Sequence, residues 1–183
     1  MSENPIKLSE ISLKNPICIG IGGVSRSGKT FLANMLGNSI HDSIVIHQDT
    51  YIPNEADIPK IKTHTDWESP EAIDWISFRA AIHSAILQGK TTIVEGLFAF
   101  QNPSIAGLYN KSIFINISKQ EFIHRKKKDL RWGKEPDWYI HHIWEGYLKY
   151  GQLPSQMEDT LVIDGEKDFE IQMIMDFLQK TVL

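Results

Sequence analysis

Residues Gly23 to Thr30 read Gly-Val-Ser-Arg-Ser-Gly-Lys-Thr, and this octet constrains the chain more than any other segment. An apolar run with Ile17, Ile19 and Ile21 precedes it, and Phe31, Leu32, Met35 and Leu36 follow at helical spacing. The predicted order is therefore strand, glycine-rich loop, helix, which is the setting a phosphate-binding P-loop requires. Gly23 and Gly28 let the backbone curl so that the N–H groups of Val24, Ser25, Arg26 and Ser27 can face a phosphate. The helix N-terminus adds partial positive charge. Lys29 can reach the β- and γ-phosphates, and the Thr30 hydroxyl is a ligand suited to Mg²⁺. The octet predicts a nucleoside triphosphate site, with ATP and Mg²⁺ as the expected cofactors.

The chain has 183 residues, which fits one compact domain spanning 1–183. Its net charge of −4 gives no electrostatic case for a nucleic-acid partner. The single cysteine, Cys18, excludes an internal disulfide and fits a reducing compartment. Glu3, Lys7, Glu10 and Lys14 are scattered through the N-terminus, unlike a signal peptide, and no stretch has the length of a membrane span. A cytoplasmic monomer or homodimer with no membrane partner is expected.

Apolar, β-branched runs alternate with helical patterns, predicting an α/β fold with a parallel sheet and helices on both faces. The predicted strands are Ile17–Gly22, Ser43–His47, Thr91–Glu95, Ser112–Ile117 and Thr160–Ile163. Ser69-Pro70 predicts a helix start that runs to Gly89, with Ile73, Ile76, Ala80, Ile86 and Leu87 on its buried face. Ser118-Lys119-Gln120-Glu121 reads as a capping box. A last helix is predicted from about Lys167 to Lys180, with Phe169, Met173, Ile174 and Phe177 inward. Tyr51–Glu68 and Trp132–Tyr139 are irregular, and such excursions hold substrate or form lids.

Four further clusters carry chemistry. Asp49 follows the second strand, at the carboxyl end where open α/β sheets bind ligands. It can serve as a general base, a metal ligand or a local turn former. Thr91–Glu95 is an apolar strand closing on Glu95, like a Walker B strand with Glu in place of Asp, suited to Mg²⁺ or its water shell. The run Arg125-Lys126-Lys127-Lys128-Asp129-Leu130-Arg131 is either a solvated helical face or a cationic lid over transferring phosphoryl oxygens. Asp66-Trp67-Glu68 sets an aromatic ring beside carboxylates, a combination that can stack on a heterocycle and accept from sugar hydroxyls. His64, His124, His141 and His142 are assigned structural roles, since adjacent helical residues point about 100° apart.

In order along the chain, these clusters resemble the nicotinamide riboside kinase and uridine kinase branch of the P-loop nucleoside kinases. The likeness rests on Gln48-Asp49-Thr50-Tyr51, on Trp67-Glu68-Ser69-Pro70-Glu71-Ala72-Ile73-Asp74, on Val94-Glu95-Gly96-Leu97-Phe98-Ala99-Phe100 and on Tyr147-Leu148-Lys149-Tyr150 after Trp144. The last of these is most like nicotinamide riboside kinases. The resemblance implies a three-layer P-loop domain with a five-stranded parallel sheet in the order 2-3-1-4-5 and a lid at about 125–139. It implies that Asp49 takes the proton of the ribose 5′-hydroxyl, that Glu68 holds the 2′- and 3′-hydroxyls, and that Trp67 stacks on the base. Lys128 and Arg131 match basic lid positions that engage phosphates, with Lys29 as their P-loop counterpart. Two departures stand out: Glu68 where the family has the shorter Asp, and Ile140 where some nicotinamide riboside kinases carry Asp.

The implied substrate is a small ribonucleoside, nicotinamide riboside first and uridine or cytidine as the alternative. Uridine kinases build a hairpin over the pyrimidine, and the 18 residues between Asp49 and Glu68, with Pro53 and Pro59, leave little room for one. A regulatory GTPase would need Asn-Lys-x-Asp, but Asn110-Lys111-Ser112-Ile113 lacks the acidic residue. An inactive nucleotide-binding module is disfavoured because Lys29, Thr30, Asp49 and Glu95 are all retained.

Overall fold

The computed structural model describes residues 13–131, 133–157 and 159–180. Glu3, Lys7 and Glu10, and Trp132 of the second irregular region, lie outside the described residues. Five strands, β1 (Cys18–Gly23), β2 (Ser43–His47), β5 (Thr91–Glu95), β6 (Lys111–Asn116) and β7 (Thr160–Asp164), form one sheet in the order β2-β5-β1-β6-β7. Every pairing in it is parallel. Counting these five alone, the order is the 2-3-1-4-5 implied by the resemblance. The strands match the sequence reading to within one residue at each end.

Alternation along the strands distributes the core to two faces. Ile19, Ile21, Ile93, Ile113, Ile115 and Ile163 pack against α1 (Lys29–Ser39) and α6 (Ile171–Gln179), through Leu32, Leu36, Ile174 and Leu178. On the opposite face Cys18, Ile46 and Val94 meet Phe78, Ile82 and Ala85 of α2 (Trp75–Leu87) and Ile105 of the short α3 (Pro103–Ala106). Phe114 on the same side meets Phe122 of α4 (Lys119–Lys128) and Ile140, Ile143 and Tyr147 of α5 (Asp137–Tyr150). The result is the expected three-layer α/β/α arrangement.

Helix phase departs from the sequence reading in two places. Ser69 precedes only a short 3-10 turn, Pro70–Ala72, and Ile73 then adopts extended geometry. The cap of α2 is Asp74, whose carboxylate accepts from the Ser77 N–H at 3.0 Å. This later start turns Phe78, Ile82 and Ala85 inward, and leaves Ile76 and Leu87 on the surface at 85% and 86% exposure. Ala80 is exposed as well. Likewise α6 begins at Ile171 rather than near Lys167, which buries Met175 and leaves Met173 39% exposed. Ser118 caps α4 by accepting from the Glu121 N–H at 3.2 Å, but the other half of the box is absent. Glu121 bonds Arg125 instead, and Glu166 takes the Ser118 N–H.

A third difference concerns the stretch before Glu68. Lys60–Ile61 (β3) and His64–Thr65 (β4) pair as a small antiparallel hairpin, turning at Lys62 with φ 55°. The expectation that this segment leaves little room for a hairpin is corrected to this extent: a minimal one forms. Two residues per strand suffice, because the His64 ring packs at a tilt against Trp138 at 5.2 Å and Lys62 lies 4.0 Å over the Trp138 ring.

Candidate active site

Parallel register assembles the site at the carboxyl edge of the sheet. His47 of β2 lies opposite Glu95 of β5, and Glu95 lies opposite Ile21, two residues before the P-loop octet. The loop uses three residues in the left-handed region, Gly23 at φ 141°, Arg26 at 66° and Gly28 at 109°. Any side chain at Gly23 would strike the Ile115 carbonyl, so this glycine is required by both φ and space. The Lys29 ammonium bends back over the loop and donates to the Val24 carbonyl at 3.0 Å. No side chain caps α1, so its first N–H groups remain for a ligand.

Glu95 is buried, and its Oε1 is shared by two neighbours. It accepts from the Thr30 hydroxyl at 3.1 Å and lies 2.8 Å from His47 Nδ1. Hydroxyl and carboxylate are hard oxygen donors of the kind Mg²⁺ takes, usually one or two from protein with phosphates and water completing the shell. Consistent with that, among the described residues no cluster of three His, Cys, Asp or Glu forms a self-sufficient metal cage. Thr30 and Glu95 therefore fit the ion.

Asp49 sits in the 3-10 turn Gln48–Thr50 that follows β2. Asp49 is exposed as a residue, yet the protein packed around its carboxyl pushes it above the usual Asp range, against the opposing pull of Lys29 and with the nearby charge of Glu95 adding to the rise. Gln48 explains why this turn and the Glu95-Gly96 turn occur together. It is fully buried, its Oε1 accepts from the Phe98 N–H at 2.9 Å, and it packs where a Gly96 side chain would stand. The two sequence motifs are one interlocked structure.

Glu68 lies across the cleft, half-buried, with its pKa raised to about 7. Burial dominates; Lys126 opposes it, and the like charges of Asp49, Asp66 and Glu135 reinforce it. Its N–H donates to Asp66 Oδ1 at 3.1 Å. Trp67 beside it is 39% exposed.

The basic run divides by task. Arg125 donates to the carbonyls of Arg26 at 3.2 Å and Gly165 at 2.8 Å, bracing the P-loop. Lys126 is buried and pairs with Glu135 at 3.0 Å, and Lys127 pairs with Asp137 at 3.1 Å. Lys128 is exposed at the end of α4. Arg131 is held by Asp129, within the electrostatic reach of Asp49. Asp49 thus lies within electrostatic reach of Lys29, Glu95 and Arg131, Thr30 bonds Glu95, and Glu68 is near enough to Asp49 to feel its charge. Sequence reasoning missed His47, Lys126 and Glu135. For His47 the signal was present, since strand pairing at the carboxyl edge places it beside Glu95.

A five-stranded parallel sheet of this order between two helical layers, with a glycine-rich loop at the end of β1, is the P-loop architecture, and the relatives that follow support a phosphotransferase. No protein-family model matches the chain. Nicotinamide riboside kinase 1 of Homo sapiens is 28% identical over 185 residues, covering 88% of this chain and 92% of that protein. A uridine kinase of Deinococcus deserti is 23% identical, covering 82% and 88%. Among solved structures, a gluconokinase from Sinorhizobium meliloti superposes with a TM-score of 0.58 at 16% identity, covering 89% of this chain and 90% of that one. The resemblance to the nicotinamide riboside kinase and uridine kinase branch is borne out by these relatives.

Proposed function

We propose that the chain transfers the γ-phosphoryl group of ATP to the 5′-hydroxyl of a ribonucleoside, with nicotinamide riboside the preferred acceptor and nicotinamide mononucleotide the product. One observation carries the substrate choice. On the acceptor side Glu68 is surrounded by Asp49, Asp66 and Glu135, with Lys126 the main opposing charge. Lys126 offsets Glu135 by pairing with it at 3.0 Å, and the remaining carboxylates, Asp49, Asp66 and Glu68, favour a cationic pyridinium over neutral uracil. The partly exposed face of Trp67 adds a cation–π term for the same base.

In this reading the P-loop amides and Lys29 hold the β- and γ-phosphates. Thr30 and Glu95 hold Mg²⁺, directly or through water, and the ion supplies charge neutralisation on the phosphates. Asp49 accepts the 5′-hydroxyl proton as the oxygen attacks phosphorus and the bond to the β-phosphate oxygen breaks. Its raised pKa makes it a better proton acceptor than an ordinary Asp. Glu68 accepts from the ribose 2′- and 3′-hydroxyls. Lys128 and Arg131 belong to a lid at about 125–139 whose cations meet the charge spreading over the phosphoryl oxygens.

Uridine or cytidine remains a second reading, favoured by the β3–β4 hairpin beside the cleft. Steady-state kinetics with ATP and a panel of nicotinamide riboside, uridine, cytidine and adenosine separates the two. The highest kcat/KM is expected for nicotinamide riboside. A panel led by uridine or cytidine would replace the substrate and keep the kinase.

A further inference from the structure

One face of α5 is built against the segment that carries Trp67 and Glu68. Tyr139, His142 and Gly146 stand at i, i+3 and i+7, hence on one side of the helix. They meet residues 64, 66 and 68 in turn. The Tyr139 ring lies 5.8 Å from that of His64. His142 Nε2 lies 2.7 Å from Asp66 Oδ1, in a contact where both side chains are largely buried. A carboxylate only accepts, so Nε2 carries the proton here. The same Oδ1 accepts from the Glu68 N–H at 3.1 Å, so one oxygen joins α5 to the Glu68 backbone. At Gly146 the helix comes so close that a Cβ would stand 2.8 Å from the Glu68 carbonyl oxygen and 3.0 Å from the Glu68 Cβ.

We infer that this face of α5 is a positioning element of the acceptor site. His142 acts through Asp66, and Gly146 by close approach, to set where Trp67 and Glu68 stand against the nucleoside. The inference rests on the reading of Glu68 as the group that holds the ribose. It gives His142 and Gly146 a part in acceptor affinity, although neither touches the substrate. It also explains why the helix tolerates a glycine in its interior, where glycine is a poor helix former.

The test combines kinetics with amide exchange. His142→Ala removes the donor, and the KM for the nucleoside is expected to rise about tenfold, as for loss of one charge-assisted hydrogen bond. The kcat and the KM for ATP should stay within about threefold. His142→Gln keeps an N–H donor of similar reach and should restore most of the loss. Gly146→Ala sets a Cβ against the Glu68 carbonyl oxygen, so the segment must shift and the nucleoside KM should rise while kcat and the KM for ATP hold, even where Tm falls. A purely structural role predicts instead that Tm, kcat and both KM values move together, with no rescue by Gln. NMR exchange of the Glu68 amide should quicken about tenfold in His142→Ala, whichever nucleoside is the substrate. Unchanged exchange overturns the inference, as does an unchanged nucleoside KM. A wild-type protein that phosphorylates no nucleoside overturns the functional reading, and the exchange measurement still decides the positioning role.

Discussion

Arg131 grips Asp129 in a bidentate fork whose shortest bonds run from Nε to Oδ1 at 2.9 Å and from Nη2 to Oδ2 at 2.7 Å. Arg26 of the P-loop reaches the same carboxylate at 3.7 Å. The Asp129 carboxyl is held well below the usual range, chiefly by its hydrogen bonds from Arg131. Arg131, assigned to the lid in the proposed function, is thus held on a carboxylate that also pairs with the glycine-rich loop. Arg131→Ala is expected to lower kcat by ~10- to 100-fold while nucleoside KM changes little, since its contacts strengthen in the transition state. Kinetics equal to wild type would return Arg131 to a surface role.

Glu95 is predicted to govern the metal requirement. Glu95→Gln keeps the shape and a hydrogen bond to Thr30 but removes the charge. The Mg²⁺ concentration for half-maximal rate should rise at least several-fold, and saturating Mg²⁺ should recover part of the activity. A metal titration superimposable on wild type would remove Glu95 from the ion site.

Glu68 makes the acceptor side sensitive to pH near neutrality. Its folded pKa of about 7 lies above the ordinary Glu value of 4.5. The ionised form is the one that accepts from ribose hydroxyls, so nucleoside kcat/KM should rise with pH through about 7. Stability runs the other way. A carboxyl with a raised folded pKa contributes stability that is fully present below 4.5 and is lost as pH rises through about 7. Glu68→Gln should flatten both dependences and weaken every ribonucleoside. Asp49 is raised too and its charge reinforces the Glu68 rise, so Asp49→Asn should move the Glu68 step to lower pH.

Trp67 is predicted to set base preference. Trp67→Ala should narrow the advantage of nicotinamide riboside over uridine by up to about thirtyfold, the value of a ~0.5–2 kcal/mol cation–π contact. An unchanged ratio would leave the choice of base to the carboxylates alone.

The sheet was legible because each strand is a local apolar, β-branched run, and the P-loop because eight consecutive residues carry it. Less legible were features decided at long range. His47 meets Glu95 across 48 positions, and His142 meets Asp66 across 76. The first is recoverable only through the pairing of two strand ends, and the second leaves no local signal. Ser69-Pro70 looked like a helix start, yet Ile73 had to be extended to enter the core, so Asp74 set the phase of α2. The charge run concealed its own division, since Lys126 turns inward to Glu135 while Lys128 stays in solvent. Segment length alone leaves little room for the hairpin, and the contacts of His64 and Lys62 with Trp138, distant in sequence, make two residues per strand enough.

The central claim is phosphoryl transfer to a ribose 5′-hydroxyl with Asp49 as the base. The most direct measurement is single-turnover transfer from ATP to nicotinamide riboside by wild type and Asp49→Ala, with ATP affinity measured alongside. The predicted result is a 5′-phosphorylated product, a rate ~10²–10⁴-fold lower in the variant, and unchanged ATP binding. A variant that turns over at near the wild-type rate, or a product phosphorylated elsewhere, would contradict it.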